Sequence, residues 1–209
     1  MTSTAAPPPT GKQKRIERCD AFVGYVLGLC RDKKAQADLR TGLGLPVERC
    51  HYLHRYLVPW LPPERLAVDV RRAHYAVAAL IAGRPRSARD AHAAAAAAGP
   101  AAPAAQEWWK RPNLGGSLAH AVNKQALKPA SAEGDLHLMT RQSSDAIHPR
   151  LPSLTRHLLT SSVTVDWAVL LEDLAWWNYD RDRIATRWLE SYFRTRTFDD
   201  LDDEAKETN

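Results

Sequence analysis

Four sets of residues have the types and spacing to do chemistry. The run Lys110-Arg111-Pro112-Asn113-Leu114-Gly115-Gly116-Ser117 puts two glycines and a hydroxyl just before an apolar helical pattern. Backbone N–H groups at such a helix start favour a phosphate. No Gly-Lys-Ser/Thr closes the run, so it is not a Walker A loop, and the plainer reading is a glycine turn capped by Ser117. Cys50-His51-Tyr52-Leu53-His54 offers two or three metal ligands, short of the four that a closed zinc site takes, and ordinary helix packing accounts for it. Asp166, Asp173, Asp180 and Asp182 suggest nuclease carboxylates. Asp166 and Asp180, however, stand where caps are needed, and Asp173 sits beside Glu172 on a face that reads as solvated. Two-metal chemistry needs carboxylates converging from several elements. With no Gly-x-Ser-x-Gly and no Cys–His pattern, we expect no enzyme, no metal and no cofactor.

The fourth set is aromatic and cationic. Trp108-Trp109 and Trp176-Trp177 have the faces to stack bases. Trp177 falls in an apolar row and reads as core, whereas Trp176 reads as packing or a self-contact. Arg40, Arg65, Arg141, Arg150 and Arg156 fall on separate predicted helices. Singly each is a solvated charge; brought onto one face they would form a phosphate track.

The elements that must position these residues are helical throughout. Around 150–196, Leu151, Leu154 and Leu158 make one apolar row, Trp167, Leu170, Leu171, Leu174 and Trp177 a second, and Ile184, Trp188 and Tyr192 a third. Asp166 and Asp180 are the expected caps of the last two, with Val165 and Leu170 placed as a hydrophobic staple. Earlier, helices are expected over 15–31, a short piece carrying Lys33, Lys34 and Arg40, then 47–58, and 63–83 with Pro63 in its first turn. Further helices are expected over 117–127 and 136–143. Between 84 and 107 the composition shifts to Ala, Pro and Arg, without large apolar side chains until Trp108. We read it as an exposed linker or insertion. The fold class is all-α, two helical-bundle halves joined by an alanine/proline-rich linker: a disordered leader 1–14, an N-terminal half 15–83, the linker 84–107, a C-terminal bundle 108–197 and a disordered acidic tail 198–209.

The net charge of +5 hides an asymmetry. Residues 1–197 hold 28 Lys and Arg against 18 Asp and Glu, a net +10, and six acids crowd the last twelve residues. Such a body favours polyanions, nucleic acid or anionic lipid. Cys19, Cys30 and Cys50 are odd in number and widely spaced, and no apolar run reaches membrane-spanning length. A reduced, cytoplasmic, soluble protein is expected.

Several of these stretches together resemble a known family. The run Leu136, Arg141, Leu151, Leu154-Thr155-Arg156-His157-Leu158-Leu159, then Val165-Asp166-Trp167 and Leu174-Ala175-Trp176-Trp177, is similar to CasB, the small subunit of the type I-E CRISPR surveillance complex Cascade. Leu39-Arg40-Thr41-Gly42, the expected 63–83 helix and the entry 113–118 agree with it. Thr41 stands where the family tends to have a second arginine, and Ala119-His120 where it has Gly-Arg. The resemblance implies an all-α, non-catalytic protein, present as two copies, that contacts the backbone and large Cascade subunits. It further implies binding to guide RNA, target DNA and the displaced strand without sequence preference, which stabilises the R-loop. Arg40, Arg65, Arg141, Arg150 and Arg156, with Lys34, Arg111 and Lys124, are the expected nucleic-acid contacts. A helical transcription regulator is the alternative, though no helix-turn-helix with a polar recognition helix is visible. A protein-only helical adaptor is a third reading.

Overall fold

Apolar residues at steps of three and four turn inward all along the chain, and among the described residues every regular element is a helix. The computed structural model describes residues 11–61, 68–97 and 107–207, with side chains over 11–61, 68–91 and 107–196. Helix α1 (Gly11–Leu29) buries Ile16, Cys19, Phe22 and Val26. It begins four residues before the apolar pattern does, so 11–14 belong to the helix and not to a leader. Helix α2 (Lys33–Arg40) is capped by Asp32, whose side chain accepts from Ala35 N at 2.7 Å.

The expected helix over 47–58 is instead a 3-10 turn (Val47–Arg49), a bend at Cys50 and the single-turn α3 (His54–Leu57). Val47, Cys50, Leu53 and Leu57 all still reach the core. Packing thus satisfies the apolar row without a continuous helix. Helix α4 (Val68–Ala82) buries Ala73, Val77 and Leu80; its expected start at Pro63 lies outside the described residues.

The stretch read as a linker contains α5 (Arg86–Ala97). Alanine's helix propensity prevails here, and the segment is tied down: Arg89 Nη1 donates to Gln36 Oε1 at 3.0 Å. Next come α6 (Leu114–Asn123), α7 (Pro129–Thr140), α8 (Ser144–Ile147), α9 (Leu151–Thr160) and α10 (Trp167–Ala175). Pro129, expected only to close a helix, opens α7 from its first turn. Helix α11 (Trp177–Glu207) breaks at Asp180 (φ −133°, ψ 34°), where a cap was expected. It then continues through the acidic segment, whose backbone is helical to Glu207 where disorder was expected.

Helix α10 is the centre, with Trp167 to Leu174 all buried. Helices α1 and α4 of the N-terminal half pack directly on it, and α6 packs on α11. The two expected halves therefore share one continuous core, running from Cys19 to Tyr192. Trp177 and Trp188 meet there at 4.8 Å between ring centroids.

The α6–α11 contact is set by one missing side chain. A Cβ on Gly115 would stand 1.9 Å from Trp188 O, whereas one on Gly116 would meet nothing within 4 Å. Gly115→Ala should destabilise the protein by about 3 kcal/mol or more by overpacking. Gly116→Ala should be neutral or gain up to about 1 kcal/mol from helix propensity. Urea midpoints at unchanged slope check both.

His148 is buried with both ring nitrogens unpartnered among the described residues. Burial, and next the Arg72 charge, lower its pKa to about 4. The folded state therefore binds the proton less well than the unfolded one. The stabilisation is fully present above pH 6.5 and is lost as pH falls toward 4, by about 3 kcal/mol in all. His148→Phe should flatten that limb of the stability–pH curve.

Candidate nucleic-acid interface

Helix α9 turns Leu151, Thr155 and Leu158 into the core. The 3.6-residue repeat then leaves Arg150, Ser153, Arg156, His157 and Thr160 outside, all exposed. Arg150 and His157, two turns apart, border a hollow of about 340 Å³ whose far wall includes Asp135 and Met139 of α7. At the C-terminal end of α9, Lys124 Nζ donates to Ser162 O at 2.8 Å and His157 Nε2 lies 3.2 Å from Ala126 O. At the other end, Gly44 takes a left-handed φ of +69° and passes close to Pro152, with Pro152 Cγ 3.7 Å from where a Cβ would stand. That turn carries the chain from exposed Arg40 to the start of α9.

Lys124, Arg150 and Arg156 are thus tied to one helix and its C-terminal end, and Arg40 lies four residues before the turn that touches its start. Arg141 is exposed at the C-cap of α7, two residues past Met139 of the hollow. Lys34 is exposed on α2 but shares its stripe with Asp38, which already takes Tyr56 Oη at 2.8 Å and lies 3.8 Å from Arg55. Arg65 lies outside the described residues. Thr41, at the departure from the family pattern, turns its hydroxyl back onto Asp38 O at 2.7 Å. At the second departure Ala119 is buried and His120 exposed.

Arg111 does not belong to this surface. Its guanidinium is held by two carboxylates, with Nε and Nη2 on Asp166 at 2.7 and 2.8 Å and Nη1 and Nη2 on Asp20 at 2.7 and 2.8 Å. Burial alone would lower its pKa; the hydrogen bonds to Asp20 and Asp166 outweigh burial and raise it. Asp166 still caps α10, accepting from Ala168 N and Val169 N at 3.1 and 3.0 Å. The glycine loop fares likewise. Asn113, not Ser117, caps α6 through Gly116 N at 3.1 Å. Ser117 donates to Thr164 O at 2.9 Å, and Leu114 to Ala119 are buried. A phosphate cannot reach that helix start.

Asp173 and Glu172, expected on a solvated face, are buried. Arg187 and Trp188 Nε1 donate to Asp173, the indole at 2.8 Å, and Arg15 donates to Glu172 at 2.6 Å. Burial raises both carboxyl pKa values, against the pull of those cations. His54, the second histidine of the Cys-His run, sits with Nδ1 2.8 Å from Cys50 O, one helical turn back. Sequence reasoning also missed a cationic–aromatic cluster. Lys12 lies 4.2 Å and Arg187 5.3 Å from the centroid of Trp108, and Arg15 lies 4.6 Å from that of Trp176. The doubled tryptophans were the only signal of it.

The family model for CRISPR-associated protein Cse2 matches residues 35–193. A chain of a CRISPR RNA-guided surveillance complex is 36% identical, with a TM-score of 0.73 over 91% of this chain and 99% of that one. A chain of such a complex in a pre-nicking state is 38% identical, with a TM-score of 0.76 over 91% and 98%. The M. ruber CasB crystal structure shares the fold at 22% identity, with a TM-score of 0.69 over 88% and 97%. No curated protein matches the chain in sequence.

Arg111→Ala should lower stability by about 1–2 kcal/mol, because it strands the partly buried carboxylate of Asp166, while exposed Asp20 is left to water. Arg111→Lys should recover little, since an ammonium cannot bond both partners bidentately. Thermal unfolding measures both, and neither variant should alter the salt dependence of nucleic-acid binding by the folded protein.

Proposed function

The chain belongs to the Cse2 (CasB) family of type I-E CRISPR systems, and from that premise we propose that it is a non-catalytic subunit of an RNA-guided surveillance complex, holding nucleic acid by its backbone. The observation that carries the reading is the outer face of α9. Arg150 and Arg156 stand on it, Lys124 closes one end and the turn from Arg40 the other. Cations spread over one exposed helix face suit a phosphate backbone and present nothing that reads a base edge. Guide RNA supplies sequence by pairing. Exchanging one duplex for another is nearly balanced, so a few phosphate contacts to the displaced strand are enough to tip it toward the open form. Arg141 extends the row, and Arg65 and Lys34 are further contacts of the same kind. A second copy of the chain and the backbone and large subunits of the complex are its protein partners, in the cytoplasm. No described helix is long and apolar enough to cross a membrane.

Binding of the full chain to single- and double-stranded DNA of unrelated sequences, across a salt series, tests this reading. Affinity should fall steeply with salt. In Arg150→Ala/Arg156→Ala it should drop, with the slope of log K against log salt on single strands shallower by roughly 1.4. An unchanged slope would remove α9 as the track. Preference for one duplex sequence would favour a transcription regulator, and absence of binding a protein-only adaptor.

A further inference from the structure

A cleft lies where the start of α1 meets the Trp108–Lys110 turn and the α10–α11 corner. Two adjoining hollows of about 480 and 500 Å³ share Lys12, Trp108, Asp180, Arg183 and Ile184. Three indoles and a phenol line it. Trp108 and Trp109 meet edge to face at 5.9 Å, and Trp176 and Tyr179 do so at 5.4 Å. Trp109 is 55% exposed and Tyr179 84% exposed. Open aromatic surface beside a cleft signals a ligand more than packing does. The floor is already electrically settled, since Arg15 and Arg187 neutralise Glu172 and Asp173. At the rim, Asp180 and Glu190 carry no ion pair among the described residues, and Arg183 is exposed.

We propose that this cleft is a stacking subsite for the unpaired bases of a single strand, separate from the phosphate row on α9. The proposal rests on the nucleic-acid reading given above. Trp109 and Tyr179 offer π-faces, which any base accepts. The free carboxylates of Asp180 and Glu190 are acceptors suited to the exocyclic amino groups of cytosine and adenine, which thymine lacks. Arg183 is placed for the neighbouring phosphate. A duplex cannot use the site, because its bases are stacked and its edges paired. The acidic rim also explains why the cleft complements bases, while α9 complements the backbone.

The test compares oligo-dC, oligo-dT and an abasic strand of equal length and charge, titrated against the full chain with tryptophan fluorescence as readout. Oligo-dC should bind tighter than oligo-dT, and both tighter than the abasic strand. Trp109→Ala and Tyr179→Ala, both at exposed positions, should lower oligo-dC affinity about tenfold or more while leaving the abasic affinity and the salt slope unchanged. Glu190→Gln should narrow the gap between dC and dT. If oligo-dC binds no better than the abasic strand, or Trp109→Ala leaves strong oligo-dC binding intact, the stacking subsite is wrong and the α9 reading survives. If no strand binds at all, the nucleic-acid reading falls with it. Quenching by a proline-rich peptide but not by oligonucleotide would overturn the proposal in favour of protein docking.

Discussion

The carboxylate of Asp173, 1% exposed on a helix buried all round, is the constraint that the rest of the molecule answers. Burying an ion costs several kcal/mol unless geometry and hydrogen bonds compensate. Arg187 and Trp188 of α11 compensate here, while Arg15 of α1 does the same for adjacent Glu172. At the other end of α10, the capping carboxylate of Asp166 shares Arg111 with Asp20 of α1. Helix α1 is therefore pinned to both ends of α10 through charge, with Ile16 and Cys19 buried between the two anchors and Phe22 and Val26 beyond them.

These ion pairs also bear on what the net charge means. Arg15, Arg72, Arg111 and Arg187 are each held by carboxylates of the fold, and because every such pair is counted on both sides of the balance, the +10 of residues 1–197 rests on the charges outside these pairs. Arg150 and Arg156 of α9 are among the cations left exposed. A basic composition points to a polyanion partner through the cations that no carboxylate of the fold holds.

Local signals in the sequence were reliable where local physics decides. The Asp166 cap, the burial of Val165 and Leu170, the row ending at Trp177 and the row of Ile184, Trp188 and Tyr192 all follow from neighbours within a turn or two. The failures share a cause. Arg15 and Glu172 are 157 residues apart, and Arg111 and Asp20 are 91 apart; nothing near either partner announces the other. Arg111 was read as a ligand contact, and Asp173 as solvated, because a charge looks the same in sequence whether it faces water or an opposite charge. The alanine-rich α5 was read as exposed linker for want of large apolar side chains, though Arg89 anchors it by a polar bond. On the candidate interface, periodicity sufficed to expose Arg150 and Arg156, but joining them to Lys124 and Arg40 required the tertiary turns at Ser162 and Gly44.

The glycine pair at the start of α6 bears on the order of assembly. Two glycines in the first turn make that helix a poor one by itself, since each carries an entropic penalty of roughly 0.5–1 kcal/mol and isolated ten-residue helices are already marginal. What stabilises α6 is the groove against Trp188 that Gly115 opens, together with Asn113, whose side chain reaches Arg187 O across 74 residues. Helix α6 therefore draws its stability from α11 more than from its own sequence. The α6–α11 pairing thus closes a long loop, and its contacts stabilise the bundle only after that closure entropy has been met.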